Sequence, residues 1–137
     1  MSTSLLNKMG IKDGMHIIFI NAPAEVIELI KPPKHSISSK LVGNFDCIHF
    51  FTKSKEEFNR TFPKLKKHLK ENGMLWVSWP KGKQGGTDLT LQKIIKLGYD
   101  FGLVESKAIS IDKIWSALKF TFPKKNKEYH NSFGKLR

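Results

Sequence analysis

Met15-His16-Ile17-Ile18-Phe19-Ile20, running into Asn21-Ala22-Pro23-Ala24-Glu25, is the stretch that decides the fold. The first six residues are rich in isoleucine and follow the turn pair Asp13-Gly14, the pattern of a buried strand. Pro23 suits the first turn of a helix that continues to about Ile30, with Val26, Ile27 and Ile30 on one face. A strand leading straight into a helix opens a parallel α/β sheet. In cofactor-binding sheets of this class the turn between them is built on glycines, so that a phosphate or nucleoside approaches bare backbone. Here an asparagine, an alanine and a proline hold that place. The sequence therefore specifies the scaffold and departs from it at the loop where a cofactor is normally gripped.

Upstream, residues 4–9 read as a short helix, and Gly10 ends it with positive φ. Downstream, Pro32-Pro33 stops the second helix. Residues 34–43 hold at most one short strand, around residues 36–38. Phe45-Asp46-Cys47-Ile48-His49-Phe50-Phe51 is apolar on both faces, as a central parallel strand must be. Ser54 caps the next helix and Glu57, three residues on, completes a capping box. Phe58, Phe62, Leu65 and Leu69 form its buried stripe. Pro63 is a point where this segment divides in two, with Thr61 capping the second part, and Asn72-Gly73 ends it. Met74-Leu75-Trp76-Val77-Ser78-Trp79 is the following strand, ended by Pro80. Thr87 or Asp88 caps a helix beginning near Leu89, packed through Leu91, Ile94, Ile95 and Gly98. Two strands, 103–111 and 115–122, close the sheet around the tight connection Asp112-Lys113-Ile114.

The element order predicts a Rossmann-like three-layer α/β sandwich, mostly parallel, with one C-terminal antiparallel strand. One domain spans residues 1–122, and residues 123–137 form a basic, flexible tail. Leu6-Asn7-Lys8-Met9-Gly10-Ile11-Lys12-Asp13-Gly14-Met15 resembles the lead-in to the first strand of Rossmann-like methyltransferases. Asn72-Gly73-Met74-Leu75-Trp76-Val77 resembles the helix–glycine–strand passage of the same family. Relative to a full-size methyltransferase the chain is shortened, because residues 34–43 have no room for the usual strand, helix and strand. The second strand of such folds normally ends in a carboxylate for the cofactor ribose. A narrower set of residues, Pro80-Lys81, Thr87-Asp88-Leu89, Gly102-Leu103-Val104, Lys107, Ile111-Asp112 and Trp115-Ser116, resembles the signature of a small bacterial family of unknown function. That resemblance spans roughly residues 5–122 and implies a methyltransferase-related fold with no established activity, substrate or cofactor.

Ligands of an open α/β sheet bind outside the carboxyl ends of its parallel strands. That rule gives Asn21, Lys81, Thr87, Asp88, Asp112 and Trp115 a common rim: a lysine, two carboxylates, a threonine, an asparagine and one flat apolar wall. Each also has a structural role open to it. Lys81 suits a solvated loop, Thr87 and Asp88 suit helix caps, Asp112 suits the hairpin turn, and Trp115 suits packing. Lys81-Gly82-Lys83-Gln84-Gly85-Gly86 does not match a nucleotide-triphosphate loop, although its backbone N–H groups suit an anion. The five histidines lack metal-ligand spacing, so no metal is expected. The lone Cys47, in an apolar stretch, reads as a buried structural thiol.

The net charge of +12 invites a nucleic-acid partner, but 22 of the 24 cations are lysines and only Arg60 and Arg137 are arginines. Arginine is the residue that reads base edges bidentately. No apolar run approaches the roughly 20 residues of a membrane span. One cysteine and the absence of a leader pattern in Met1–Leu6 fit a cytoplasmic protein. The expected function is a non-catalytic domain binding a small anionic ligand or a protein partner at the rim, with no cofactor. The alternatives are a divergent S-adenosylmethionine-dependent methyltransferase and a weak, nonspecific nucleic-acid binder. DNA or RNA binding is expected to be weak, blind to sequence and steeply lost with salt in a fluorescence titration. Sequence-selective binding at physiological salt contradicts this.

Overall fold

The computed structural model describes residues 4–33, 36–124, 129–131 and 134–136. Six strands form the main sheet: β1 (Ile17–Ile20), β2 (Ile37–Ser38), β3 (Phe45–Phe51), β4 (Leu69–Pro80), β5 (Val104–Ser110) and β6 (Trp115–Thr121). Their spatial order is β2-β1-β3-β4-β6-β5. The β2–β1, β1–β3 and β3–β4 pairs are parallel, while β6 runs antiparallel to both β4 and β5. This is the expected mostly parallel sheet with one antiparallel strand. Among the described residues four α-helices accompany it, α1 (Leu5–Lys8), α2 (Ala24–Ile30), α3 (Lys55–Lys66) and α4 (Leu91–Asp100), and Lys81–Gly86 after β4 forms a 3-10 helix. Among the described residues, no helix is long and apolar enough to cross a membrane. In the C-terminal segment, β7 (Tyr129–Asn131) and β8 (Gly134–Leu136) pair as a separate antiparallel sheet. The rest of the expected tail beyond residue 124 lies outside the described residues.

Alternation along the strands builds two cores. Ile48 and Phe50 of β3 join Leu75, Val77 and Trp79 of β4 under Phe58, Phe62 and Leu65 of α3 and Ile94 and Leu97 of α4. Cys47 and Phe51 turn to the other face and pack with Met74, Trp76 and Trp115 under Val26 and Ile30 of α2 and the segment around Met9. The buried Trp76 indole donates to the Met9 carbonyl at 3.1 Å, tying the end of α1 to the middle of the sheet.

Three sequence expectations change at α3. Pro63 lies inside the helix and does not divide it. Phe58, Phe62 and Leu65 are buried on both sides of the proline, and burial of about 1.5–3 kcal/mol per side chain outweighs the roughly 3 kcal/mol that an internal proline costs. The helix also ends at Lys66, so Leu69 is the first residue of β4, paired with Phe45. Leu69 continues the helical spacing from Leu65, but the ladder to β3 claims it: the Phe45 N–H donates to the His68 carbonyl at 2.7 Å. Gly73 therefore does not end a helix. It lies in β4 beside a register shift opposite Phe45 and Cys47. A Cβ there would come within 3.0 Å of the Phe45 and Lys70 carbonyls.

Helix α4 starts later than expected. Thr90 is its cap, accepting from the Lys93 N–H at 3.3 Å, so neither Thr87 nor Asp88 caps it. Leu91 is exposed, and Ile94, Leu97 and Gly98 make the packing face. Gly98 is required by contact: a Cβ on it would overlap Cε1 and Cζ of the buried Phe120 ring. Gly98→Ala is expected to destabilise the fold by about 1–3 kcal/mol despite its better helix propensity. Urea unfolding checks it, and an unchanged or raised midpoint contradicts the packing described.

Candidate functional site

The chain leaves β1 for β2 on one side and then crosses back to β3 on the other, so the strand order reverses between β1 and β3. In open α/β sheets the crevice beyond the carboxyl ends of the strands at such a reversal is the ligand position. A cleft of about 460 Å³ lies there. Asn21 enters it from the end of β1, Phe51, Thr52 and Lys53 from the end of β3, and Trp115 from the start of β6. The first turns of α3 contribute Ser54, Glu56, Glu57 and Arg60.

Asn21 explains how the loop manages without glycine. Its φ is 60°, the left-handed conformation that glycine usually supplies and that asparagine tolerates best among the other residues. The turn is thus made with a polar side chain in place of bare backbone. That side chain donates from Nδ2 to Glu57 Oε2 at 3.4 Å. The other carboxylate oxygen, Oε1, accepts from the Thr52 hydroxyl at 2.5 Å. The capping box forms only by half. Ser54 accepts from the Glu57 N–H at 3.1 Å, but the Glu57 carboxylate serves Thr52 and Asn21 instead of the N–H of Ser54. The half-buried carboxylate is held by residues from both switch-point strands. Arg60 and Glu56, both exposed, face each other at 3.9 Å one turn apart on α3.

The six residues expected on one rim have distinct placements. Asn21 and Trp115 line the cleft. Trp115 is also core, 7% exposed, and packs edge-on against Phe51 with ring centroids 5.1 Å apart. Lys81 lines a second hollow, with Trp79, Leu89 and Ser110. Its ammonium donates to the Ser110 hydroxyl and, at 2.6 Å, to the Asp112 carbonyl. Asp112 fixes the hairpin turn by accepting from the N–H groups of Ile114 at 2.8 Å and Trp115 at 2.7 Å. Thr87 donates to the Lys53 carbonyl at 2.6 Å, and Asp88 accepts from the Lys55 N–H at 2.9 Å. Asp88 therefore supports the start of α3. Thr52, Lys53, Glu57 and Arg60 were not among the expected site residues. The signal for them is positional: they follow β3, the same carboxyl edge that pointed to Asn21 after β1.

Beneath the aromatic wall lies a buried pair. His49 Nε2 is 2.6 Å from the Ser78 hydroxyl, and Phe51 stacks on the imidazole at 4.3 Å between centroids. His49 Nδ1 is buried without a partner. Burial lowers the His49 pKa from 6.5 to about 3 and raises that of the fully buried Cys47 thiol to about 12. Neither is poised for chemistry: the imidazole stays neutral and the thiol stays protonated. Among the described residues, no three His, Cys, Asp or Glu side chains are grouped to hold a metal.

No protein-family model matches the chain, and no curated protein matches its sequence. Solved structures do match in fold. A ribosomal protein L11 methylase from Lactobacillus delbrueckii subsp. bulgaricus superposes with a TM-score of 0.58 at 12% identity, over 87% of this chain and 75% of its own. A TehB-like SAM-dependent methyltransferase from Corynebacterium glutamicum gives 0.57 at 12% identity, over 86% and 85%. A precorrin-6y C5,15-methyltransferase from Geobacter metallireducens gives 0.56 at 9% identity, over 86% and 85%. The fold is that of the Rossmann-like methyltransferases.

The residues present do not fit the usual nucleoside grip of such a fold. That grip needs close backbone approach after the first strand and a carboxylate at the end of the second. Here Asn21-Ala22-Pro23 fills the first position, and the only residues between β2 and β3 are Ser39-Lys40-Leu41-Val42-Gly43-Asn44. No carboxylate stands among them.

Burial of neutral His49 makes stability depend on pH. Between about 3 and 6.5 the unfolded chain binds a proton that the folded chain does not. Stability is therefore full above the unfolded pKa and falls progressively as the pH drops toward the folded one. The urea midpoint of the wild type is expected to fall between neutrality and about pH 4.5, and His49→Phe to show a flatter profile from a lower starting midpoint. Equal slopes in the two proteins contradict this assignment.

Proposed function

We propose that the protein is a small-molecule-binding domain on a methyltransferase-like scaffold, with its site in the cleft between the ends of β1 and β3. The observation that carries this reading is the Glu57 carboxylate, fixed at the switch point by Thr52 and Asn21. A carboxylate held between a hydroxyl and an amide is an acceptor set in place for a hydroxyl or a cationic centre. Phe51 and Trp115, both core residues, back the cleft with apolar rings. Lys53 and Arg60 supply the opposite charge on the same cleft. The set of two carboxylates and two cations suits a small zwitterion, whose anionic group meets the lysine and arginine and whose cationic group meets Glu57. In this reading no bond is made or broken by the protein.

Fold likeness favours a second reading, a divergent S-adenosylmethionine-dependent methyltransferase, and on likeness alone it is the better supported of the two. It requires the cofactor to be held by a different set of contacts, with Glu57 supplying the carboxylate that β2 lacks. The loop at Asn21 and the residues after β2 support the first reading over it.

A calorimetric panel of amino acids and betaines, set beside acetate and phosphate, tests the proposal. Zwitterions are expected to bind and the plain anions not to. Glu57→Gln is expected to weaken binding by about 1–3 kcal/mol, the scale of a hydrogen bond to a charged group. If no zwitterion binds, or if Glu57→Gln binds as well as the wild type, the cleft does not work in this way.

A further inference from the structure

Helices α3 and α4 lie on the same face of the sheet and leave between them a third cleft, of about 550 Å³. On α3 its wall is Lys55 and Asn59, one turn apart and on a different stripe from Glu56 and Arg60 of the first cleft. On α4 its wall is Lys93 and Lys96, and its floor is Leu97 and Phe101. Leu97 is 6% exposed, and the Phe101 ring lies 5.7 Å from that of Phe62, so the floor is continuous with the core. Three exposed ammonium groups therefore surround an apolar floor. Among the described residues, none of the three is in an ion pair with a carboxylate. Asp88 spends its carboxylate on the Lys55 N–H, and only its carbonyl, at 2.9 Å, meets the Lys93 ammonium. Asp100 is the one carboxylate in the lining, a turn beyond Lys96 toward the end of α4.

We propose that this cleft binds an amphipathic organic anion, a molecule with a phosphate or carboxylate at the Lys55–Lys93–Lys96 rim and a flat apolar body on Leu97 and Phe101. The two halves of the site need each other. Exposed lysines attract a bare anion weakly in water and lose it to salt. An apolar floor of two side chains holds a neutral ring poorly. A ligand that engages both gains from each, and Asp100 repels a second anionic group at the far end. The volume falls within the range of small-ligand clefts. The site is independent of the Glu57 cleft and stands whether or not that cleft binds a zwitterion.

Titration of the 137-residue chain with 1-naphthyl phosphate, followed by amide NMR, tests the proposal against inorganic phosphate and 1-naphthol. Saturable shifts at Leu97, Phe101 and Lys93–Lys96 are expected. The aryl phosphate is expected to bind at least about tenfold more tightly than either control. Lys55→Glu and Lys96→Glu, both exposed substitutions, should each weaken it by about tenfold or more while the melting temperature holds. Glu57→Gln should leave it unchanged. Absence of saturable binding at millimolar ligand overturns the proposal. So do shifts located elsewhere, inorganic phosphate binding as well as the aryl phosphate, or charge-reversed variants that bind as the wild type does.

Discussion

The rest of the structure depends on the short parallel ladder between β1 and β3, in which Ile17, Ile18, Phe19 and Ile20 pair with Cys47, Ile48, His49 and Phe50. These strands are separated by only α2, the two-residue β2 and their loops. Pairing at such sequence separation closes a loop at an entropic cost. Near-complete burial of β3 offsets it, with six of its seven residues buried. The ladder also creates the switch point, because the chain must leave β1 on one side and return on the other. The position of Asn21 against Thr52 and Glu57 follows from that crossing.

Around this centre, residues that suggested chemistry act as fasteners. Lys81 ties the end of β4 to the β5–β6 turn, Asp112 shapes that turn, and Thr87 and Asp88 tie the loop before α4 to the start of α3. Each satisfies backbone groups that would otherwise be lost to a half-buried loop. By holding the β3–α3 junction and the start of β6 in register, these bonds set the positions of Lys53, Glu57 and Trp115 around the cleft. Structural residues at the carboxyl edge thus fix the walls of the cleft.

Much of the fold was legible because its signals are local. The apolar runs of β1, β3 and β4, the cap at Ser54 and the turn at Asp112 need no distant partner to be read. The errors arose where distance decides. Leu69 fits a helix by spacing and a strand by pairing, and only Phe45 settles which. Pro63 reads as a break until the burial of Phe58, Phe62 and Leu65 is known. Glu57 looks like one half of a capping box, since nothing near it in sequence reveals that Thr52 and Asn21 compete for its carboxylate. Of the expected site residues, Asn21 and Trp115 line the switch-point cleft, while the end of β3 was passed over although the same topological rule applies to it.

In the proposed reading, an asparagine turn and a carboxylate carried on α3 stand where the fold normally grips a cofactor. Calorimetry with S-adenosylmethionine at millimolar concentration addresses that claim most directly. The account predicts no measurable heat of binding in the wild-type protein. A dissociation constant in the micromolar range would contradict it and establish that this shortened scaffold holds the cofactor by other means.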